Sequence, residues 1–259
     1  MRIMIRYLFL SLFFISVTAC TTKNELDVEP TRDQKAAEIN TQLGVRYLAQ
    51  GDMNLADEKL RRALQQDPKS ATTHWVFALL QERLGENAVA EKHFRKAIHL
   101  DPKDSRAHNN YGAFLCKLDR IDEAENQFLQ AIDNPLYTQV DSAYVNAGLC
   151  VLKIPDDDKA EQYFKKALVI NSRQQAALFQ MARISFDRQE YELAMDYIRT
   201  YEKVAKHTSE SLWIAYQSEA QLGKKTNAED YATKLKIQYP ASEEAKLLAE
   251  SYWNAGRKN

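Results

Sequence analysis

Residues 71–104 read ATTHWVFALLQERLGENAVAEKHFRKAIHLDPKD, and most of the chain is this stretch repeated with variation. Counting Ala71 as slot 1, small residues stand at slots 8, 20 and 27 (Ala78, Ala90, Ala97). Glycine stands at slot 15 (Gly85) and proline at slot 32 (Pro102). A period of 34 earlier, the same slots hold Gly44, Ala56, Ala63, Gly51 and Pro68; a period later they hold Gly112, Ala124 and Ala131. The phase then slips by two. Gly148, Ala160 and Ala167 follow, then Ala182 and Ala194, then Gly223, Ala228 and Pro240. The pattern has a steric logic. Small residues at slots 8 and 20 let two helices approach closely. A bulky residue at slot 24 (Leu60, Phe94, Phe128, Phe164, Ile198) fills the space toward the next unit. Glycine at slot 15 suits a left-handed turn, and proline ends the second helix.

A 34-residue period with these slots resembles the tetratricopeptide repeat, two antiparallel helices per unit. The resemblance implies an all-α, right-handed superhelical solenoid whose concave face holds a partner. Six units start near Ala37, Ala71, Ser105, Asp141, Gln175 and Ser209, within residues 36–242. Unit 6 departs from the pattern, with Tyr216 at slot 8 and Ala232 at slot 24. Residues 243–259 read as a capping helix and tail, with Ala245, Leu248, Ala249 and Tyr252 on one stripe. The two extra residues fall around Asp133-Asn134-Pro135-Leu136-Tyr137. They are either a tolerated surface insertion or a bend and contact loop.

The chain has 259 residues, 35 basic and 36 acidic, so no overall field draws it to nucleic acid. Residues 1–19 carry Arg2 and Arg6, then an apolar run from Tyr7 to Val17. That run matches a signal-peptide core and is too short to span a bilayer. Val17-Thr18-Ala19-Cys20 resembles the lipobox of bacterial lipoproteins. The likeness implies cleavage before Cys20, a covalent lipid there, and a tether over residues 20–35. The competing reading is an ordinary signal peptide with Cys20 incidental. Thr21 stands where inner-membrane retention usually has Asp, so the resemblance implies the periplasmic face of the bacterial outer membrane.

Cys116 and Cys150 occupy slots 12 and 10 of neighbouring first helices. An oxidising compartment permits a disulfide there; two buried free thiols are the alternative. The five histidines include no i, i+4 pair of the kind a helical metal site uses. Asp156-Asp157-Asp158 lacks the glycine and distal glutamate of a calcium loop and reads as favourable charge at a helix start. No GxSxG, HExxH or phosphate-cradling glycine loop occurs. The expectation is therefore no catalytic set, no metal, no small-molecule substrate and no cofactor beyond the lipid.

In this repeat class first-helix slots 2, 5, 9 and 12 point inward. They include Trp75, Leu79, Asn109, Ala113, Val145, Leu149, Phe179, Arg183, Phe186, Trp213 and Gln217. Exposed aromatics in a groove mark peptide or protein binding, although Leu149 and Phe186 also suit a core. Asn110 and Asn146 join Trp75, Leu79, Asn109, Ala113, Phe179, Arg183 and Trp213 as the candidate groove residues. The lysine and asparagine clamp of cochaperone repeats is missing, since Thr41 and Val45 fill slots 5 and 9 of unit 1.

The runs AHNNYGAFLC (107–116) and AYVNAGLC (143–150) carry a narrower likeness. With the lipobox, the Asn-Pro-Leu-Tyr insertion and the closing Tyr239-Pro240, the chain resembles the type IV pilus biogenesis and stability lipoproteins of the PilW/PilF family. That resemblance implies a non-catalytic scaffold, or pilotin. It would help the pilus secretin localise and multimerise, or stabilise pili, with secretin or other pilus assembly proteins as partners. Some members carry the paired cysteines as a disulfide, which implies a Cys116–Cys150 bond. Rival readings are a scaffold of outer-membrane-protein assembly and an adaptor recruiting a cell-wall hydrolase.

Overall fold

The computed structural model describes residues 29–154 and 156–256, with the side chains of residues 252–256 excepted. The signal segment, Cys20 and the Tyr252 side chain lie outside the described residues. Thirteen helices and no strand occur among those described. Six hairpins follow one another: α1 (Arg32–Gln50) with α2 (Met53–Gln66), α3 (Ala71–Arg83) with α4 (Asn87–Leu100), and α5 (Ser105–Lys117) with α6 (Ile121–Ile132). Then come α7 (Val140–Val151) with α8 (Asp157–Ile170), α9 (Gln175–Asp187) with α10 (Tyr191–Tyr201), and α11 (Ser209–Gln221) with α12 (Lys225–Gln238). α13 (Glu243–Gly256) closes the stack.

Local chemistry sets the helix ends. Thr31 and Gln34 form a reciprocal capping box, so α1 begins at Arg32 and residues 32–35 are helix rather than tether. Asp52, Ser70, Asp104, Asp156 and Thr208 cap other helices with side-chain oxygens. Gly51, Gly85 and Gly223 turn the chain at φ 80, 80 and 73°. In units 3 and 5 the same turn falls to Asp119 (φ 58°) and Gln189 (φ 64°), which occupy the left-handed region at a cost glycine avoids.

Within each hairpin, slot 8 is small because the slot 24 side chain lies on it. A Cβ on Gly44, Gly112 or Gly148 would stand 2.5, 2.8 or 2.7 Å from Leu60, Phe128 or Phe164. Phe94, Phe128, Phe164, Leu60 and Ile198 are fully buried. Unit 6 inverts the pair: Tyr216 fills the first-helix side and Ala232 is the small, buried partner. The volume is exchanged between helices, so the cluster with Leu212, Leu235 and α13 stays filled. Ala245 and Leu248 of α13 are buried in it, whereas Ala249 is exposed, contrary to the expected stripe. The packed face of α13 is narrower than its apolar pattern.

The core runs without a break from Ala78 to Ile184. It passes the insertion at 133–137, where α6 still packs on α7, so these residues add surface and leave the stack joined. First helices touch along α1–α3–α5–α7 and again between α9 and α11; α8 against α9 makes the join of units 4 and 5. Carboxylates also stitch neighbouring units. Glu91 accepts from Tyr111 (3.1 Å) and from Arg120 (2.9 Å), and Glu161 accepts from Arg188 (2.7 Å). Burial pushes the Glu91 carboxyl upward, but its bonds to Arg95, Arg120 and Tyr111 outweigh that and hold it below the ordinary range.

Candidate partner-binding face

The inner faces of the first helices carry the expected residues, and Trp75 is the best organised. It is half-buried on α3, and its Nε1–H donates to Asp104 Oδ2 at 3.2 Å. Asp104 is only 9% exposed, because it also caps α5 by accepting from the backbone N–H groups of Arg106 and Ala107. The Arg106 guanidinium stands 5.7 Å from the Trp75 ring centroid and pairs with Asp104 at 3.3 Å. One carboxylate therefore orients both an aromatic plane and the cation over it. Trp75 and Arg106 edge a cleft of about 760 Å³, whose other walls include Glu38, Gln42 and Val45 of α1 and Thr72 of α3. Val45 is 45% exposed, while Thr41 is buried and bonds to Ala37 O (2.8 Å) and Thr73 Oγ1 (2.7 Å). Arg106 occupies slot 2 of unit 3, so the inward-slot rule applied throughout finds it. Asp104, one residue ahead of its unit, has no such signal.

A second group lies on α5 and α7. Asn146 Nδ2–H donates to Asn109 Oδ1 at 3.0 Å. Ala113, Asn146 and Leu149 line a cleft of about 220 Å³ together with Cys116, Cys150 and Lys153. Cys116 and Cys150 are joined in a disulfide with Cα atoms 5.7 Å apart, a usual separation for such a bond. Asn110 Nδ2 donates to Arg106 O (2.8 Å), one turn back on its own helix. Leu79 is half-buried against the central core.

The remaining expected residues do not join these clefts. Val145 is buried in the core, so slot 5 of unit 4 is not part of the groove. Asn146, one position on, lines the cleft instead. Phe179 packs with the unit 5 and 6 cluster, its ring 6.0 Å from Tyr201, and Phe186 packs in the same cluster. Trp213 stands 5.6 Å from Tyr216 beneath the capping helix. Arg183 and Gln217 are half-buried. Leu149, an inward residue that also suited a core, is 39% exposed and lines the smaller cleft.

Two further properties bound the chemistry. Among the described residues, no group of three or more His, Cys, Asp or Glu side chains could hold a metal ion, and no helix is long and apolar enough to cross a membrane. His74 and His93 meet with Nδ1 atoms 2.9 Å apart. Burial lowers both, His93 to about 4.

Stacked helical hairpins with a cleft along their first helices define a tetratricopeptide-repeat protein. Family models described as tetratricopeptide repeat match residues 41–105, 115–176 and 93–126. The chain is 30% identical over 234 residues to the type IV pilus assembly protein PilF of Pseudomonas aeruginosa, covering 89% of this chain and 92% of that one. It is 26% identical over 140 residues to an uncharacterized protein of Haemophilus influenzae, covering 54% and 78%. The solved structure of Pseudomonas aeruginosa PilF superimposes with a TM-score of 0.78 at 30% identity, covering 85% of this chain and 100% of that one. PilW, described as a widely conserved type IV pilus biogenesis factor, gives 0.72 at 29% identity, covering 82% and 98%. The chain belongs to the PilF/PilW family of tetratricopeptide-repeat proteins.

Proposed function

We propose that this chain is a lipid-anchored scaffold of type IV pilus biogenesis on the periplasmic face of the outer membrane, and that it holds the pilus secretin for localisation and multimerisation. The observation that carries this reading is likeness to PilF and PilW over most of the chain, combined with the Trp75 cleft. The lipobox sequence at Cys20 supports the anchor. From residue 20 to the capped start of α1 the chain can reach at most about 40 Å. A partner seated beside Trp75 is then confined close to the membrane, which raises its local concentration where it must insert. The role is that of a holder rather than a catalyst, with no cofactor other than the covalent lipid.

Cys20→Ala tests the anchor: secretin multimers in membrane fractions should fall, and unchanged multimers would refute tethering. Trp75→Ala should weaken capture of purified secretin by about thirtyfold, since truncating an aromatic anchor costs about 2 kcal/mol. Loss of many porins on deletion of the chain, with pili spared, would favour the outer-membrane-protein assembly reading instead. Loss of a bound cell-wall hydrolase alone would favour the adaptor reading.

A further inference from the structure

We propose that Asn109 and Asn146 form an amide pair that takes the main chain of an extended peptide, with one uncharged side chain of that peptide seated beside the Cys116–Cys150 bridge. This rests on the reading of the concave face as a partner site and names what the central part of it recognises. Asn109 and Asn146 stand on adjacent first helices, both half-buried, and share one hydrogen bond of 3.0 Å. That bond uses one donor and one acceptor. Asn109 Nδ2 and Asn146 Oδ1 are left without a partner among the described residues, and neither is sealed from solvent. Exchanging O and N on both amides leaves the same pair, one donor and one acceptor.

A peptide unit offers one N–H and one C=O, and in extended backbone both are available to a neighbour. The free donor and acceptor of the amide pair are the complement of such a unit. Neighbouring Asn110 bonds back along its own helix, Nδ2 to Arg106 O, and is not joined to the pair. The adjoining 220 Å³ cleft has Ala113, Leu149 and the disulfide as walls, suited to an apolar side chain. Lys153 at its edge is already engaged, donating to Cys116 O (2.7 Å) and Asp119 Oδ1 (2.7 Å), so the cleft offers no free cation for a carboxylate. Recognition should then depend on the partner's backbone and on one side chain, and be nearly indifferent to the rest.

The test is a phage-displayed library of random linear dodecapeptides, panned on the mature oxidised protein. The strongest binder is synthesised and titrated by fluorescence polarisation. N109A/N146A should weaken it about tenfold, the loss of two hydrogen bonds. N-methylation of one backbone amide should cost a similar factor, while side-chain changes at all but one position stay within about threefold. Ala113→Trp keeps the amides and fills the cleft, and should weaken binding as well; it guards against a misfolded asparagine variant. Binders indifferent to both variants, or a library that yields no binder, would overturn the proposal. Competition by tiled secretin peptides separates the two readings. Asparagine-dependent binding without such competition removes the secretin reading and keeps this one. Secretin capture undiminished in N109A/N146A does the reverse.

Discussion

Breaking the Cys116–Cys150 bridge should cost this fold about 4 kcal/mol. The bond closes a sequence separation of 34 residues. Chain entropy for a loop of that length gives about 13 cal/mol/K, or about 4 kcal/mol at 25 °C, released to the unfolded state when the bridge is removed. Cys150 is fully buried, so alanine is a better replacement than serine, which would bury a hydroxyl. The loop contains α6, the insertion and most of α7. Because repeat stability is a sum of unit and neighbour terms, the loss should concentrate in units 3 and 4. Urea unfolding followed at 222 nm should show a midpoint lower by more than about 1 M for both C116A/C150A and the thiol-reduced wild type. Amide exchange should accelerate most between residues 105 and 170. If the oxidised and reduced proteins unfold within about 0.2 M of each other, the loop-closure reasoning fails.

Other consequences follow from single contacts. Gly148→Val would push a branched side chain into the fully buried Phe164 ring and should cost about 2–3 kcal/mol, read as a fall in Tm. Gln189→Gly relieves a left-handed backbone at φ 64° and should gain about 0.5–1 kcal/mol after glycine's own entropy cost; an unchanged or lower urea midpoint would contradict this. His93 is held near 4 when folded and returns toward 6.5 when unfolded, so the unfolded chain binds more protons between those values. Stability should therefore decline as pH falls from 6.5 to 4, by about 2 kcal/mol after allowing for the half-open site, and His93→Gln should flatten that slope in a Tm-against-pH series.

The repeat was legible because its signal is steric and local. Slot 8 must be small where slot 24 is large, and slot 15 must turn left-handed, so Gly148, Phe164 and Gly85 announce themselves one unit at a time. What lay beyond the sequence depends on how units meet. The clamp of Asp104 and Arg106 on Trp75 joins residues 29 and 31 positions apart, across two hairpins. The His74–His93 contact lies across a hairpin, where spacing along one helix says nothing. Val145 marks a limit of the slot rule: its side chain is buried in the core, and Asn146, one position on, lines the cleft instead. The inverted Tyr216 and Ala232 pair looked like a weak repeat, yet it preserves the packed volume.

The bridge between α5 and α7 also sets how this solenoid carries load. A protein fastened at one end and gripped by a partner elsewhere is pulled through its backbone. When tension enters at the two ends of the chain, the covalent path runs from residue 116 to residue 150 through sulfur. The segment between them, insertion included, is bypassed and feels no stretching force. Fully drawn out, the oxidised chain is shorter by roughly 110 Å than the reduced one, so a force–extension trace would read the state of the bond directly.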